Sequence, residues 1–159
     1  MIQMPTTDEI KERLKRYPGL RMETDNLLAR LEVLKSEETL PPMRQGNGSK
    51  RTAGTGDRQE RAILRRMEFE ERNGPTIAAN KQEIKAIDRA VAALSDPLER
   101  DVIKIHYIEV DTYKPLPWRE VAVAMYGDDA DAKLLAVHRL HRSALQSLQQ
   151  ILQEEECTE

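Results

Sequence analysis

The chain has 159 residues, of which 39% are hydrophobic and 33% charged, with a single Phe and a single Trp. This length suits one domain, or a small domain with an extended appendage, and the composition excludes a large aromatic-rich core. No apolar run approaches the ~20 residues that cross a bilayer, and the segment from Met1 to Pro5 lacks the basic-then-apolar order of a signal peptide. We therefore expect a soluble, cytoplasmic protein with no membrane partner.

Charge and cysteine usage narrow the setting further. The lone Cys157 cannot form an internal disulfide, which fits a reducing compartment. The net charge of -3 is unfavourable for a nucleic-acid binder, because that affinity depends on Lys and Arg. The charges are unevenly spread, however, with a basic stretch over residues 44–66 and an acidic tail over residues 154–159. The basic stretch either tracks phosphates or is a solvated linker and helix face.

The first third of the sequence predicts a helix over residues 7–36, with Thr7 and Asp8 as a plausible N-cap. Pro18 and Gly19 should kink it or divide it into two shorter helices, because proline removes a backbone donor and clashes with the preceding turn. Its apolar residues follow a stripe that is typical of a coiled coil. The stripe consists of Ile10, Leu14, Tyr17, Leu20, Leu27, Leu31 and Leu34.

Residues 37–56 are rich in Pro, Gly and Ser and offer almost nothing apolar to bury, so they predict a flexible linker. A long helix should follow over residues 57–95, with Asp57 as its N-cap and a kink favoured over a turn at residues 73–75. A narrow apolar seam runs along its last turns. The seam consists of Ile84, Ile87, Val91 and Leu94. Its partner is either the stripe from Leu20 to Leu34, folded back antiparallel, or the same helix of a second subunit.

The remaining sequence predicts three helices over residues 96–153. Asp96 is the N-cap of the first, Pro97 suits its first position, and Glu99 occupies the third position of a capping box. Residues 110–116 form a loop, Pro117 begins the second helix, Gly127 ends it, and Lys133 opens the third. The inward stripes, with either Leu140 or His141 inward on the third helix, predict one core. That core consists of Leu98, Val102, Ile105, Trp118, Val121, Met125, Val137, Leu140, Ala144 and Leu148.

The outward face of the third helix mixes basic and short side chains, which suits a helix that enters a major groove about 12 Å wide. Arginine can contact guanine edges there, and arginine or histidine can contact phosphates. The candidate DNA-binding residues are Lys133, Ala136, His138, Arg139, Arg142, Ser143 and Gln146.

The sequence gives little indication of a metal site, catalytic carboxylates or a phosphate-binding loop. His138 and His141 lie three residues apart, but no further ligand of suitable spacing lies nearby, so we expect no metal site. The carboxylates around Glu9 and Glu70 lie on helical faces rich in Lys and Arg, where ion pairing is ordinary. No phosphate-binding loop follows an apolar strand. We therefore expect neither an enzyme nor a cofactor.

Four segments resemble a known family. They are Leu98-Glu99-Arg100, Tyr107-Ile108-Glu109, Trp118-Arg119-Glu120-Val121-Ala122, and Val137-His138-Arg139-Leu140-His141-Arg142-Ser143-Ala144-Leu145. Together they are similar to the region-4-like helix-turn-helix of sigma factors, and they look closest to phage late transcription regulators of the ArpU and RinA type. The resemblance implies an all-α protein that binds promoter DNA through the third helix, with host RNA polymerase as a candidate partner. The turn over residues 127–132 is longer and more acidic than is usual in that family.

Two functions follow as hypotheses. The first is a sequence-specific transcription regulator of phage or prophage origin that binds double-stranded DNA, and whose N-terminal helices either form a homodimer or hold a polymerase-associated partner. The alternative is a phage packaging component, similar to a terminase small subunit, whose helical N-terminal region builds a higher oligomer. A coiled-coil adaptor with a vestigial helix-turn-helix is the third interpretation.

Overall fold

A computed structural model describes residues 4–39 and 55–158, and every regular element in this part of the chain is helical. The all-α prediction is therefore confirmed. The elements are α1 (Thr7–Thr39), α2 (Thr55–Ala92), α3 (Pro97–Ile103), a π-helical turn (Lys104–Ile108), α4 (Trp118–Tyr126) and α5 (Asp131–Thr158). The chain divides into a larger unit, Met1–Met22 with Gln82–Glu159, and a smaller unit, Glu23–Lys81. Both α1 and α2 contribute to each unit.

The larger unit has one apolar core, to which α1, α2 and the C-terminal helices all contribute. The seam of α2 belongs to it, because Ile87, Val91 and Leu94 are buried. Its partners within the chain come from the start of α1 and not from the predicted stripe beyond Leu20. The α1 residues of this core are Ile10, Leu14 and Tyr17, and the C-terminal ones include Val102, Ile103, Tyr107, Val121, Ala122, Val137, Ala144, Leu145 and Leu148.

The start of α1 is fixed by a capping box one residue before the predicted N-cap. The Thr6 hydroxyl accepts a hydrogen bond from the Glu9 amide at 3.2 Å, and the Glu9 carboxylate accepts one from the Thr6 amide at 3.3 Å. Further along, α1 continues through Pro18, so the alternative of two shorter helices is wrong. The Tyr17 hydroxyl, which donates to Asp88 at 2.7 Å, ties this part of α1 to α2.

The first predicted C-terminal helix changes type along its length. Asp96 caps it as expected, since its carboxylate accepts a hydrogen bond from the Leu98 amide at 2.9 Å. After Ile103 the helix widens into the π turn, which closes with a 2.7 Å bond from the Glu109 amide to the Lys104 carbonyl. Val102 and Ile103 are buried just before this turn, and the wider turn then brings His106 and Tyr107 to the buried face. Consequently Ile105 and Ile108 are only half-buried.

Leu98 and Glu99 differ in burial from what the sequence predicts. Leu98 is 49% exposed, so its assignment to the core is wrong, whereas Glu99 is buried. Leu98 occupies the second position of the first turn, on the side away from the core. The Glu99 carboxylate accepts a hydrogen bond from the Ser143 hydroxyl and thereby joins α3 to α5.

Helix α5 is longer than predicted. It runs from Asp131 to Thr158, so the segment expected as an acidic tail forms its last turns as far as the described residues extend. In the turn before the helix, the Asp128 carboxylate accepts a hydrogen bond from the Ala130 amide at 3.0 Å.

In the smaller unit, segments of α1 and α2 run antiparallel. Residues that lie later in α1 contact residues that lie earlier in α2. These contacts join Glu23 to Asn80, Arg30 to Phe69, and Glu38 to Arg66. Helix α2 is continuous through Pro75, as the favoured one-helix prediction requires, and the Asn73 amide donates to the Phe69 carbonyl beside it at 3.2 Å.

The linker predicted over residues 37–56 lies mostly outside the described residues. At its edges, α1 extends to Thr39 and α2 already begins at Thr55. Asp57 therefore lies in the first turn of α2 and is not its N-cap. Among the helices of the described ranges, none is long and apolar enough to span a membrane.

Replacement of Asp96 tests the start of α3. Asp96→Ala removes the acceptor for the Leu98 amide and should lower the free energy of unfolding by about 1 kcal/mol, whereas Asp96→Asn should cost only a few tenths because it keeps an acceptor. Urea unfolding followed by circular dichroism measures both values. Equal losses for the two variants would contradict the capping role.

Candidate nucleic-acid interface

The candidate interface is built on α4, the turn that follows it, and α5. Helix α4 ends at Gly127, which adopts the left-handed conformation (φ 82°, ψ -9°) and donates its amide to the Val123 carbonyl at 2.8 Å. Glycine is favoured here because a side chain strains this conformation. After a short turn α5 begins and packs against both α3 and α4. The prediction that Gly127 ends the second helix is confirmed.

The predicted inward stripes of these helices agree with their burial. Val121, Val137, Ala144 and Leu148 are buried. Trp118, Met125 and Leu140 are half-buried and pack on the same core. His141, and not Leu140, is the fully inward residue of the pair that the sequence left open. The packing leaves one long face of α5 exposed.

The exposed face of α5 contains most of the predicted DNA-binding residues. His138, Arg139, Arg142, Ser143 and Gln146 are exposed. Lys133 and Ala136 are half-buried at its margin, where the Lys133 ammonium lies 5.3 Å from the centre of the Tyr126 ring. The face thus presents two arginines with a histidine and a glutamine beside them.

Ser143 differs from the other residues of this face. Its hydroxyl donates to the buried Glu99 carboxylate, so the side chain serves the packing of α3 on α5. A contact from this hydroxyl to a base would compete with that bond. We therefore assign Ser143 a structural role and keep the two arginines as the principal candidates.

An aromatic cluster lies directly beneath this face. The His106 ring stacks on Trp118, with ring centres 3.7 Å apart and planes 16° apart. The Tyr107 hydroxyl and His141 Nε2 form a 2.7 Å hydrogen bond. His138, on the outer side, lies 4.9 Å from the Trp118 ring centre. The cluster fixes the relation of the π turn, α4 and α5.

Burial keeps both inner histidines neutral. It lowers the pKa of His106 to about 4, and a hydrogen bond between that ring and the Leu116 backbone acts in the opposite direction. It lowers the pKa of His141 to about 3, with smaller contributions in the same direction from the neighbouring His106 ring and from Lys11. The Nδ1 atom of His106 is buried with no hydrogen-bond partner in the described part of the chain. A proton on either ring would be poorly solvated.

The interpretation of His138 and His141 as metal ligands finds no support in their placement. His141 is turned into the core towards Tyr107, whereas His138 is exposed. Within residues 4–39 and 55–158, no group of three or more His, Cys, Asp or Glu side chains is arranged to hold a metal ion.

A groove of about 470 Å³ borders the exposed face of α5 on one side. One wall is the start of α1, with Thr7, Asp8 and Lys11. The other wall belongs to α5. Its lining residues are His138, His141, Arg142, Leu145 and Gln146. Close by, the Gln149 amide donates to the Pro5 carbonyl at 3.0 Å and holds the two segments together.

The structure adds two residues that the sequence reasoning did not select. Leu135 is 52% exposed and precedes Arg139 and Arg142 by four and seven residues, which places it on the same face of α5. That helical spacing was the available signal. Lys11 lines the groove because the start of α1 lies beside α5. No local sequence pattern indicates this placement.

Acidic residues accompany the turn before α5. Asp128, Asp129 and Asp131 are all exposed there. They lie at or just before the start of α5, where their negative charges would repel a phosphate. The arginines of the face, Arg139 and Arg142, begin about two turns further along α5.

No protein-family model, no curated protein and no solved structure matches this chain.

The buried histidines predict that the larger unit loses stability in mild acid. Below pH 6.5 the unfolded chain binds protons on both rings and the folded chain does not, so acid favours unfolding. Each histidine should cost about 1.4 kcal/mol of unfolding free energy per pH unit down to about pH 5, where carboxylates begin to contribute. Urea unfolding at a series of pH values measures this slope.

His141→Gln provides the matched control. Glutamine offers the Tyr107 hydroxyl a hydrogen-bond partner but does not titrate, so the slope should fall by about half relative to the wild-type chain. A wild-type unfolding free energy that stays constant from pH 7 to pH 5 would contradict the prediction.

Proposed function

We propose that this protein is a sequence-specific transcription regulator of phage or prophage origin that binds double-stranded promoter DNA. The α4-turn-α5 segment acts as a helix-turn-helix, with α5 as the recognition helix. The observation that carries the proposal is the exposed face of α5, where Arg139 and Arg142 lie on a helix whose opposite face is packed into the core. The likeness of the same residues to the sigma region-4 motif supports it.

A recognition helix needs rigid packing on its buried side. Binding groups act best when packing already holds the helix in place. The Trp118 and His106 stack and the Tyr107 and His141 hydrogen bond supply that support. Arg139 and Arg142 then offer planar guanidinium groups, which bond guanine edges or phosphates in pairs of parallel hydrogen bonds.

The acidic turn and the net charge of -3 mean that one copy of α5 has limited affinity for DNA. A dimer would raise it, since two recognition helices then bind two half-sites together. The smaller unit supports self-association. Its apolar residues Val33, Leu64 and Met67 are 53 to 59% exposed, and two antiparallel helices bury little between them.

A second copy is a fitting occupant of that surface because the charges of the two segments complement each other. The α1 segment, residues 23–39, has five acids and two bases, whereas the described α2 segment, residues 55–81, has six bases and five acids. Glu37 and Glu38 already pair with Arg65 and Arg66 within the chain. The charges available for pairing between copies therefore include the exposed Asp25 of α1 and the exposed Arg58, Arg61 and Arg72 of α2. Host RNA polymerase is the further partner that the sigma-like resemblance suggests.

The decisive experiment is selection of bound fragments from sheared phage and host DNA by the full-length chain. Recovery of one sequence motif upstream of genes would support the regulator. Recovery of fragments without sequence preference would overturn it in favour of a packaging role.

Replacement of both arginines tests the recognition helix. Arg139→Ala with Arg142→Ala should weaken binding to the selected duplex and lower the slope of log affinity against log salt by about 0.9 for each phosphate contact that the substitutions remove. Fluorescence anisotropy over a salt series measures both quantities. Lys85→Ala with Arg89→Ala, which removes two exposed bases of α2 outside the proposed contacts, is the charge-matched control and should behave as the wild-type chain. Unchanged binding by the double variant would refute the assignment of α5.

The mass in solution tests the dimer. Light scattering should give a dimer for the wild-type chain and a monomer for the variant Leu64→Lys with Met67→Lys, because lysine at both sites places charge in the proposed contact. Lys85→Ala, an exposed residue outside both segments, should leave the dimer intact. A ring of eight or more subunits would contradict the regulator and support the packaging alternative.

A further inference from the structure

We infer that the groove between the start of α1 and α5 is a second DNA contact, which binds the sugar-phosphate backbone through Lys11. The inference rests on the proposed function, which assigns DNA contacts to α5, and it adds contacts from α1. Lys11, Arg142 and His138 line the groove, with Asp8 as its one acidic lining residue.

The position of the groove suits a backbone contact. A helix with its side chains is about as wide as the major groove, so a recognition helix is flanked closely by two sugar-phosphate backbones. The start of α1 lies alongside α5 and is held there by the bond between Gln149 and Pro5. A backbone that flanks α5 on this side would therefore meet Lys11.

Lys11 and Arg142 give the groove two positive charges against the one negative charge of Asp8, so the groove favours an anion. Lys11 has no ion-pair partner among the residues described, whereas Lys15, one turn further, is paired with Glu12 at 3.4 Å. Burial is the main cause of the lowered pKa of His141 on α5, and the nearby charge of Lys11 lowers it further. Glu9 is engaged in the capping box with Thr6. Lys11 is thus the cation at this end of α1 that can bind phosphate.

The size of the groove favours a sugar-phosphate backbone over a small anion as its ligand. A volume of about 470 Å³ exceeds what a single phosphate needs and opens onto the exposed face of α5 at Arg142 and Gln146. A chain of linked phosphates and sugars can lie along it and continue past α5. Free phosphate would make only part of these contacts.

Two substitutions of opposite sign test the inference. Lys11→Ala should weaken binding to the selected duplex several-fold and lower the salt slope by about 0.9, with the preferred sequence unchanged, because phosphate contacts do not read bases. Asp8→Asn should strengthen binding, because it removes the acidic group from the same groove. Lys85→Ala, an exposed lysine outside the groove and the proposed dimer contact, is the matched control. Anisotropy titrations with the selected duplex and a scrambled duplex of equal length provide the measurements.

The outcomes separate this inference from the proposed function. If Lys11→Ala and Asp8→Asn bind as the wild-type chain does while the Arg139 and Arg142 variant is impaired, the groove is not a contact and the function stands. If no α5 variant alters binding, the proposed function fails first. Competition by millimolar inorganic phosphate that abolishes the Lys11 effect at constant ionic strength would identify a small-anion site instead. Thermal unfolding of each variant shows whether the fold is retained.

Discussion

Burial of a shared apolar core is the constraint on which the C-terminal module depends. Helices α3 and α4 have seven and nine residues, and helices of that length are marginal in water without tertiary packing. Their apolar faces meet Ile10 and Leu14 of α1 and Val91 of α2 in one core. The start of α1 and the end of α2 are therefore structural parts of the module that presents α5, and the orientation of α5 follows from all of these helices together.

Much of this fold was accessible from local sequence rules. Asp96 and Gly127 marked helix ends because a side-chain cap and a left-handed residue each leave a clear chemical signature. The π turn was not accessible, since apolar spacing is interpreted with 3.6 residues per turn and a wider turn shifts the phase of everything after it. The predicted burial of Leu98 was wrong within the first turn of α3 itself, where capping and the Glu99 bond to Ser143 decide which side faces inward.

The candidate site shows the same division between local and distant information. Periodicity along α5 identified its exposed face, and Arg139 and Arg142 lie there. It could not reveal that Ser143 bonds to Glu99, which lies 44 positions earlier in the chain, or that Lys11 lies across a groove from Arg142. Such neighbours follow from how distant segments pack. The net charge of -3 likewise does not determine the electrostatic potential at one face, because that potential depends on which charged residues the packing brings together.

The stack of Trp118 on His106 gives the molecule an internal optical probe. Trp118 is the only tryptophan in the sequence, so all indole emission comes from one place in the larger unit. That place is the junction of the π turn, α4 and α5, with His138 against its outer side. The intrinsic tryptophan fluorescence of the unlabelled chain thus reports on the packing beneath the candidate interface.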